Sequence, residues 1–384
     1  MEMHKDRITL SAQAVAGRGG QGLNFLHMMQ GYAEDFEVYT FSRGLTQGFP
    51  GKRIEPSRLL SSLGRVPLFR RNHAWLDLQN AMHFDRQVSG ELQLKGGFFQ
   101  GVTGQCLESL EVARKMGALT ILDCVTLHAR TFRNRQLDEG DKFGLAPRIS
   151  KAMLQRMEAE YASSDRIRVM SHVAKADMVK QGVPAEKIVV STPPVDCLDF
   201  PQADFSKGVF RISYVGMLEP AKGVRHLLEA YSLLSPGRDV ELVFWGGFGS
   251  RRMVRFFKPY LDAHPGIRVQ PGSIRTHGLD EVYGSSHVLV HPSLADGFGY
   301  VVQEAMACGL PVIVTDSAGS SDMVQDGQNG YIVPAGDTNA IVERLKFLLE
   351  NPGTLSGLGA CARDTVKGTN MESFRKSLLE LTCR

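Results

Sequence analysis

Short runs of β-branched and aliphatic residues alternate along the chain with longer stretches whose apolar positions recur every three or four residues. The first pattern marks strands buried on both faces, and the second marks amphipathic helices. Strands are expected at residues 8–15, 37–41, 98–102, 119–122, 167–170 and 188–190, with helices from Leu23 and over residues 73–88, 105–116, 146–161 and 174–181. Strands alternating with helices predict parallel sheets, because each crossover needs a helix-sized connection. Periodicity breaks over residues 192–207, where Pro193, Pro194 and Pro201 suit a linker. It restarts with strands at 211–215, 240–245, 267–270, 288–291 and 312–314 and helices from Lys222, near 251–261 and from Val301. The expected organisation is α/β throughout, with one doubly wound parallel-sheet domain over residues 1–205 and another over 206–384. The second doubly wound unit itself runs to about residue 365. Residues 371–381 have helical spacing and suit packing back on either unit. Two such units would form a cleft at the carboxyl ends of their strands, where open α/β sheets bind ligands.

The length of 384 residues agrees with two domains of ordinary size. Apolar residues at 43% and charged residues at 22% exclude a disordered, collagen-like or disulfide-scaffold chain. Unbroken apolar runs such as 242–245 fall far short of the ~20 residues of a membrane span. The first residues lead into only a short apolar stretch, so no secretory signal is expected. A net charge of +3, without a long basic stripe, argues against a nucleic-acid partner. Cys106, Cys124, Cys197, Cys308, Cys361 and Cys383 stand far apart without zinc-ligand spacing. Reduced thiols in a cytoplasmic protein are the expectation.

Residues 291–311 carry the most chemistry. The run His291-Pro292-Ser293-Leu294-Ala295-Asp296-Gly297-Phe298-Gly299-Tyr300 reads as a strand end, a glycine-flanked turn and a helix start. Amides that open a helix can bind an anion, helped by the helix dipole. Glu304 falls one turn inside, where an acid cannot help to hold phosphate but can accept the two hydroxyl hydrogen bonds of a ribose diol.

This run, with Ala305-Met306-Ala307-Cys308-Gly309-Leu310-Pro311 after it, resembles the signature of glycosyltransferase family 4. Residues 214–223, 326–334 and 183–190 look like further segments of that family, so the resemblance extends through most of the chain. It implies the GT-B fold of two Rossmann-like domains and retaining transfer of a sugar from a nucleotide-diphosphate sugar, with no cofactor. By the same resemblance, Glu304 would hold the ribose hydroxyls. Asp296 with the amides of Gly297, Phe298 and Gly299 would hold the donor sugar. Lys222 would contact the diphosphate, together with amides near Val301 and Val302, and Gly272, Ser273 and Ile274 would face the base. Gly19 and Gly20 would form a loop near the donor phosphate and the acceptor, and His128 would lie close to the transferred sugar.

Two positions depart from the family pattern. Met217 stands where Arg is usual, so one cation is missing, and Arg251 or Arg252 is the candidate replacement. Asp296 is one methylene shorter than the usual Glu. These departures keep open a sugar-nucleotide-binding protein without turnover, and a GT-B sugar-nucleotide epimerase is the other alternative. Arg130, Arg133 and Arg135 would suit an anionic or lipid-linked acceptor, or form a solvated face. The cationic and apolar residues 65–75 would suit peripheral contact with a membrane, or form an ordinary loop. No Asp-x-Asp pair occurs, so amides and Lys222 are expected to stabilise the leaving group without a metal.

Overall fold

The computed structural model describes residues 6–44, 46, 48–66, 69, 72–195, 200–206, 208–234, 239–272 and 274–383. Seven parallel strands form one sheet: β1 (Arg7–Ala12), β2 (Glu37–Ser42), β3 (Gly51–Arg53), β4 (Phe98–Val102), β5 (Leu119–Cys124), β6 (Arg166–Val169) and β7 (Ile188–Val190). Six more form a second: β8 (Phe210–Val215), β9 (Val240–Trp245), β10 (Ile267–Gln270), β11 (Val288–His291), β12 (Val312–Thr315) and β13 (Gly330–Val333). Their orders are β3-β2-β1-β4-β5-β6-β7 and β10-β9-β8-β11-β12-β13. Each order reverses beside its first strand, between β1 and β4 and between β8 and β11, and such switch points are where doubly wound sheets bind ligands. The central strands are buried along nearly their whole length, as the unbroken apolar runs require.

The chain divides into unit 1 (residues 1–133, 147–194 and 371–384) and unit 2 (residues 134–146 and 195–370). The expected boundary at 205/206 is therefore about ten residues late. The Ala203 amide donates to the Cys308 carbonyl and the Asp204 amide to the Gly284 carbonyl, which makes residues 200–206 part of unit 2. A second difference is the helix Ala129–Gly140, which the sequence pattern did not announce. Its last turn belongs to unit 2 because Glu139, almost wholly buried, takes a two-pronged ion pair from Arg225 (2.6 and 3.2 Å) and a third bond from Lys142. The final helix, Met371–Glu380, packs on unit 1 against the helix Gly19–Tyr32. That first helix opens at Gly19 rather than Leu23. No helix among the described residues is long and apolar enough to cross a membrane.

Candidate functional site

The β8/β11 switch point of unit 2 is built by loops that touch backbone to backbone. After β8 the chain turns through Gly216 to a short 3-10 turn, Pro220–Lys222, and Gly223 starts the helix Val224–Leu234. Gly223 has φ of +67°, and a Cβ there would stand 1.9 Å from the Pro292 carbonyl oxygen. Only glycine allows this turn and this approach. The Leu294 amide donates to the Ala221 carbonyl at 2.9 Å and completes the seam between the two loops. The Tyr214 hydroxyl, from within the core, donates to the Met217 carbonyl at 2.9 Å and fixes the loop from below.

This seam brings Lys222 and Asp296 together across 74 residues, Nζ to Oδ2 at 2.5 Å. His291, the buried last residue of β11, places Nε2 3.2 Å from the same oxygen. Burial alone would raise the Asp296 carboxyl, but the Lys222 charge and the His291 contact outweigh it and hold the group well below the ordinary carboxylate range. Asp296 is thus a fixed anion beside a fixed cation. The side chain of Met217, by contrast, is 52% exposed.

Gly299 caps the helix Tyr300–Ala307 with φ of +96°. A Cβ on it would meet His291 Nε2 at 3.1 Å and Ser320 Oγ at 3.2 Å. The expectation of free amides along this turn needs correction at two positions. The Val302 amide donates to the Gly299 carbonyl at 3.0 Å, because the helix starts with a tightened turn. The Phe298 amide points at Asp296 Oδ1, at 3.5 Å. The Phe298 ring is buried, while Gly297 and Val301 lie on the same turn and first helical positions.

Glu304, half-buried on that helix, accepts a 2.8 Å hydrogen bond from the Tyr283 hydroxyl. Burial pushes its carboxyl up to about 7, against the lowering effect of that bond. Tyr283 was not a sequence candidate. It lies 21 residues from Glu304, on a different element, and no spacing rule links the two.

Arg251 and Arg252, the candidates for the missing cation, stand at the start of one helix. Arg252 directs its guanidinium to the Phe143 carbonyl at 3.5 Å, which draws it to residues 141–143. Arg251 is exposed at the first position of the helix Arg251–Ala263, which Ser250 caps. Gly272, with φ of +131°, turns the chain after β10 beside Thr276 and His277. Ser273 lies outside the described residues, as does the side chain of Ile274.

In unit 1, His128 is buried at the start of the helix Ala129–Gly140. Its amide donates to Asp177 Oδ2 at 2.8 Å, and its Nδ1 accepts from the Arg130 amide at 3.1 Å. The ring proton therefore sits on Nε2. Burial lowers the imidazole pKa, with Asp177 and Glu158 opposing, so the ring is neutral at pH 7. Arg130 pairs with Glu158 at 2.5 Å, and Arg133 donates to the Ile149 carbonyl at 3.1 Å, so two of the three expected anion-binding arginines already hold protein groups. Gly19 and Gly20 are exposed, and a Cβ on either would meet nothing. The close approach in this loop belongs to Gly22, where a Cβ would lie 2.2 Å from the Val15 carbonyl oxygen. Four residues of the cationic segment 65–75, at positions 67, 68, 70 and 71, lie outside the described residues.

Residues 198–365 match the family of glycosyl transferases group 1. The match spans the unit that carries Lys222, Asp296 and Glu304. A capsular polysaccharide biosynthesis glycosyltransferase, CapM, from Staphylococcus aureus is 30% identical over 162 residues, 41% of this chain and 41% of its own. The O-antigen chain mannosyltransferase B of Escherichia coli is 25% identical over 293 residues, 76% of this chain and 73% of its own. The chain thus spans only about two fifths of the length of the first of these relatives. Together the matches support the glycosyltransferase superfamily. Among solved structures, Anabaena Alr3699/HepE in complex with UDP and glucose aligns over 98% of this chain and 99% of its own, with a TM-score of 0.72 and 16% identity. Sucrose-phosphate synthase from Thermosynechococcus elongatus aligns over 98% of each chain, with a TM-score of 0.73 and 18% identity. The fold is GT-B.

Proposed function

We propose that the protein is a retaining glycosyltransferase that moves a sugar from a nucleotide-diphosphate sugar to a hydroxyl acceptor without a metal. The carrying observation is the constellation at the unit 2 switch point: a fixed cation, Lys222, a fixed anion, Asp296, and an accepting carboxylate, Glu304, on the helix between β11 and β12. This division of charge suits a sugar nucleotide. Lys222 meets the diphosphate as a point charge, Asp296 accepts from sugar hydroxyls, and Glu304 accepts from the ribose. The acceptor falls to unit 1, with the neutral His128 among its residues. Transfer proceeds on one face of the sugar. The bond from the anomeric carbon to the diphosphate oxygen breaks, the acceptor oxygen bonds to that carbon on the same side, and the leaving diphosphate takes the acceptor proton. The names of the CapM and O-antigen relatives favour a glycan acceptor; a lipid-linked or free glycan, and a reaction on the cytoplasmic side, complete the proposal. Peripheral contact of residues 65–75 with the membrane fits a lipid-linked acceptor.

The test is binding of UDP, GDP and ADP sugars, then nucleotide release with acceptor glycans. Glu304→Ala is expected to weaken donor binding by about tenfold to a hundredfold, the value of a hydrogen bond to a charged group, and Glu304→Gln by less. Unchanged affinity in both variants removes Glu304 from the site. Turnover is expected to survive EDTA. A metal that stabilised the departing diphosphate would contribute several kcal/mol, so its loss would lower the rate by orders of magnitude.

A further inference from the structure

We propose that Tyr283 is the positioning residue of the donor site, holding the Glu304 carboxylate in the orientation and ionised form that a nucleotide ribose needs. The proposal rests on the donor-site reading above. Tyr283 stands wholly buried on the π-helical turn Asp280–Gly284, and its hydroxyl donates to Glu304 Oε2 at 2.8 Å. Burial raises the phenol far above its ordinary range, so it stays a donor at every pH the protein meets. Towards the ionised Glu304 carboxylate, which can only accept, the bond therefore runs from the phenol. It engages Oε2 and leaves Oε1 as the oxygen for a ligand's hydroxyls.

The turn is itself anchored. The Ser286 hydroxyl donates to the Val282 carbonyl at 2.7 Å and meets Ser213 Oγ of β8 at 2.7 Å. The indole of Trp245 donates to the same Ser213 oxygen at 3.2 Å. Tyr283 thus reaches Glu304 from a turn fixed to the central strand, and a support of that kind keeps a binding carboxylate within the narrow geometry it needs. The elements packed against the Glu304 helix carry His291, Asp322, Cys361, Arg363 and Asp364. Among the side chains around it, Tyr283 is the one whose contact shifts the Glu304 titration, opposing the effect of burial.

The experiment uses the full chain with Tyr283→Phe, Glu304→Gln and the double variant, each checked for an unchanged circular-dichroism spectrum. The first readout is the Glu304 carboxyl titration in protein labelled with 13C-glutamate, assigned by its absence in Glu304→Gln. Tyr283→Phe is expected to move that midpoint upward by about one pH unit, the effect of losing one hydrogen bond to the ionised form. An unmoved midpoint overturns the proposal. The second readout is UDP, GDP and ADP affinity from pH 5.5 to 9. For the nucleotide that binds, wild-type affinity is expected to fall as pH drops through about 7. In Tyr283→Phe that fall begins at higher pH, with about fivefold weaker binding at pH 7. Glu304→Gln is expected to be flat with pH, and adding Tyr283→Phe to it to change affinity by less than about twofold. A full additional loss in the double variant means that Tyr283 acts only through the fold, which also overturns the proposal. If wild type binds no nucleotide, the donor-site reading fails, while the carboxyl titration still decides whether Tyr283 governs Glu304.

Discussion

At the scale of single residues, the site is a matter of partners that sequence spacing does not reveal. Lys222 and Asp296 were both candidates through the family resemblance of the runs around them, but their 2.5 Å pairing and the contribution of His291 come from the seam between two loops. Lys222→Ala leaves Asp296 a largely buried carboxylate with the His291 imidazole and the Phe298 amide beside it but no lysine charge. The pair is partly exposed, so the expected cost lies between that of a surface pair and that of a buried one, about 2 kcal/mol. Urea denaturation reads that loss, and donor affinity should fall with it. Met217→Arg should be tolerated, with a midpoint near wild type, because the side chain is 52% exposed. A large loss of stability in that variant would mean that the loop packs differently. Glu304 gives a pH-dependent prediction. Its folded-state pKa, raised from 4.5 to about 7, means that the native state binds more protons than the unfolded chain between those values. Its contribution to stability is therefore greatest below pH 4.5 and is lost as pH rises through about 7. Glu304→Gln removes this loss, so its Tm relative to wild type should be higher at pH 8 than at pH 5. Parallel Tm curves would show that Glu304 titrates as an ordinary surface carboxyl.

At the scale of elements, parallel strands were the most legible feature because burial on both faces writes them as continuous apolar runs. β4, β9 and β11 lie where that pattern puts them. β3 was not foreseen, for the sequence Gly51-Lys52-Arg53 is exposed at the sheet edge and has no apolar signal. The helix Ala129–Gly140 was missed for a related reason: its cationic sequence lacks an apolar stripe, and much of what fixes its last turn is the Arg225 pair. Glycines divide in the same way. Gly223→Ala combines a left-handed backbone with a Cβ 1.9 Å from a carbonyl oxygen, so it is expected to cost more than about 2 kcal/mol and to disturb the Lys222 turn. Gly90→Ala, in the helix His73–Glu91 with open space around the new Cβ, is expected to stabilise by about 0.5–1 kcal/mol. Urea midpoints of the two variants should move in opposite directions. Two destabilisations of similar size would mean that helix propensity is not what distinguishes them.

At the scale of the whole molecule, each unit completes its core with a segment distant in sequence. Unit 2 takes residues 134–146, and unit 1 takes residues 371–384. The second of these is bound by both packing and charge. Phe374, Leu378 and Leu381 are buried in one cluster with Phe25, Met28 and Met29, and Arg375 forms a two-pronged ion pair with Asp35 at 2.7 and 2.8 Å. Gly31 permits the approach, since a Cβ there would meet the Leu378 side chain at 2.7 Å. Phe374 also lies under the buried guanidinium of Arg168, 5.1 Å from the ring centroid, and Arg168 in turn binds Asp123 at 2.6 Å and Asn24 at 2.8 Å. Helical spacing made residues 371–381 recognisable as a helix, but the unit they join depends on this long-range cluster. Phe374→Ala therefore removes a ring from the core and uncovers a buried cation, at an expected cost of about 3–5 kcal/mol. Hydrogen exchange resolved by segment locates that cost. Protection should fall in β1, β4 and the helix Gly19–Tyr32, while β8 and β11 keep wild-type protection because their cluster contains no residue of the last helix. Equal loss in both sets of strands would show that the two units unfold as one cooperative body and that the borrowed helix stabilises both.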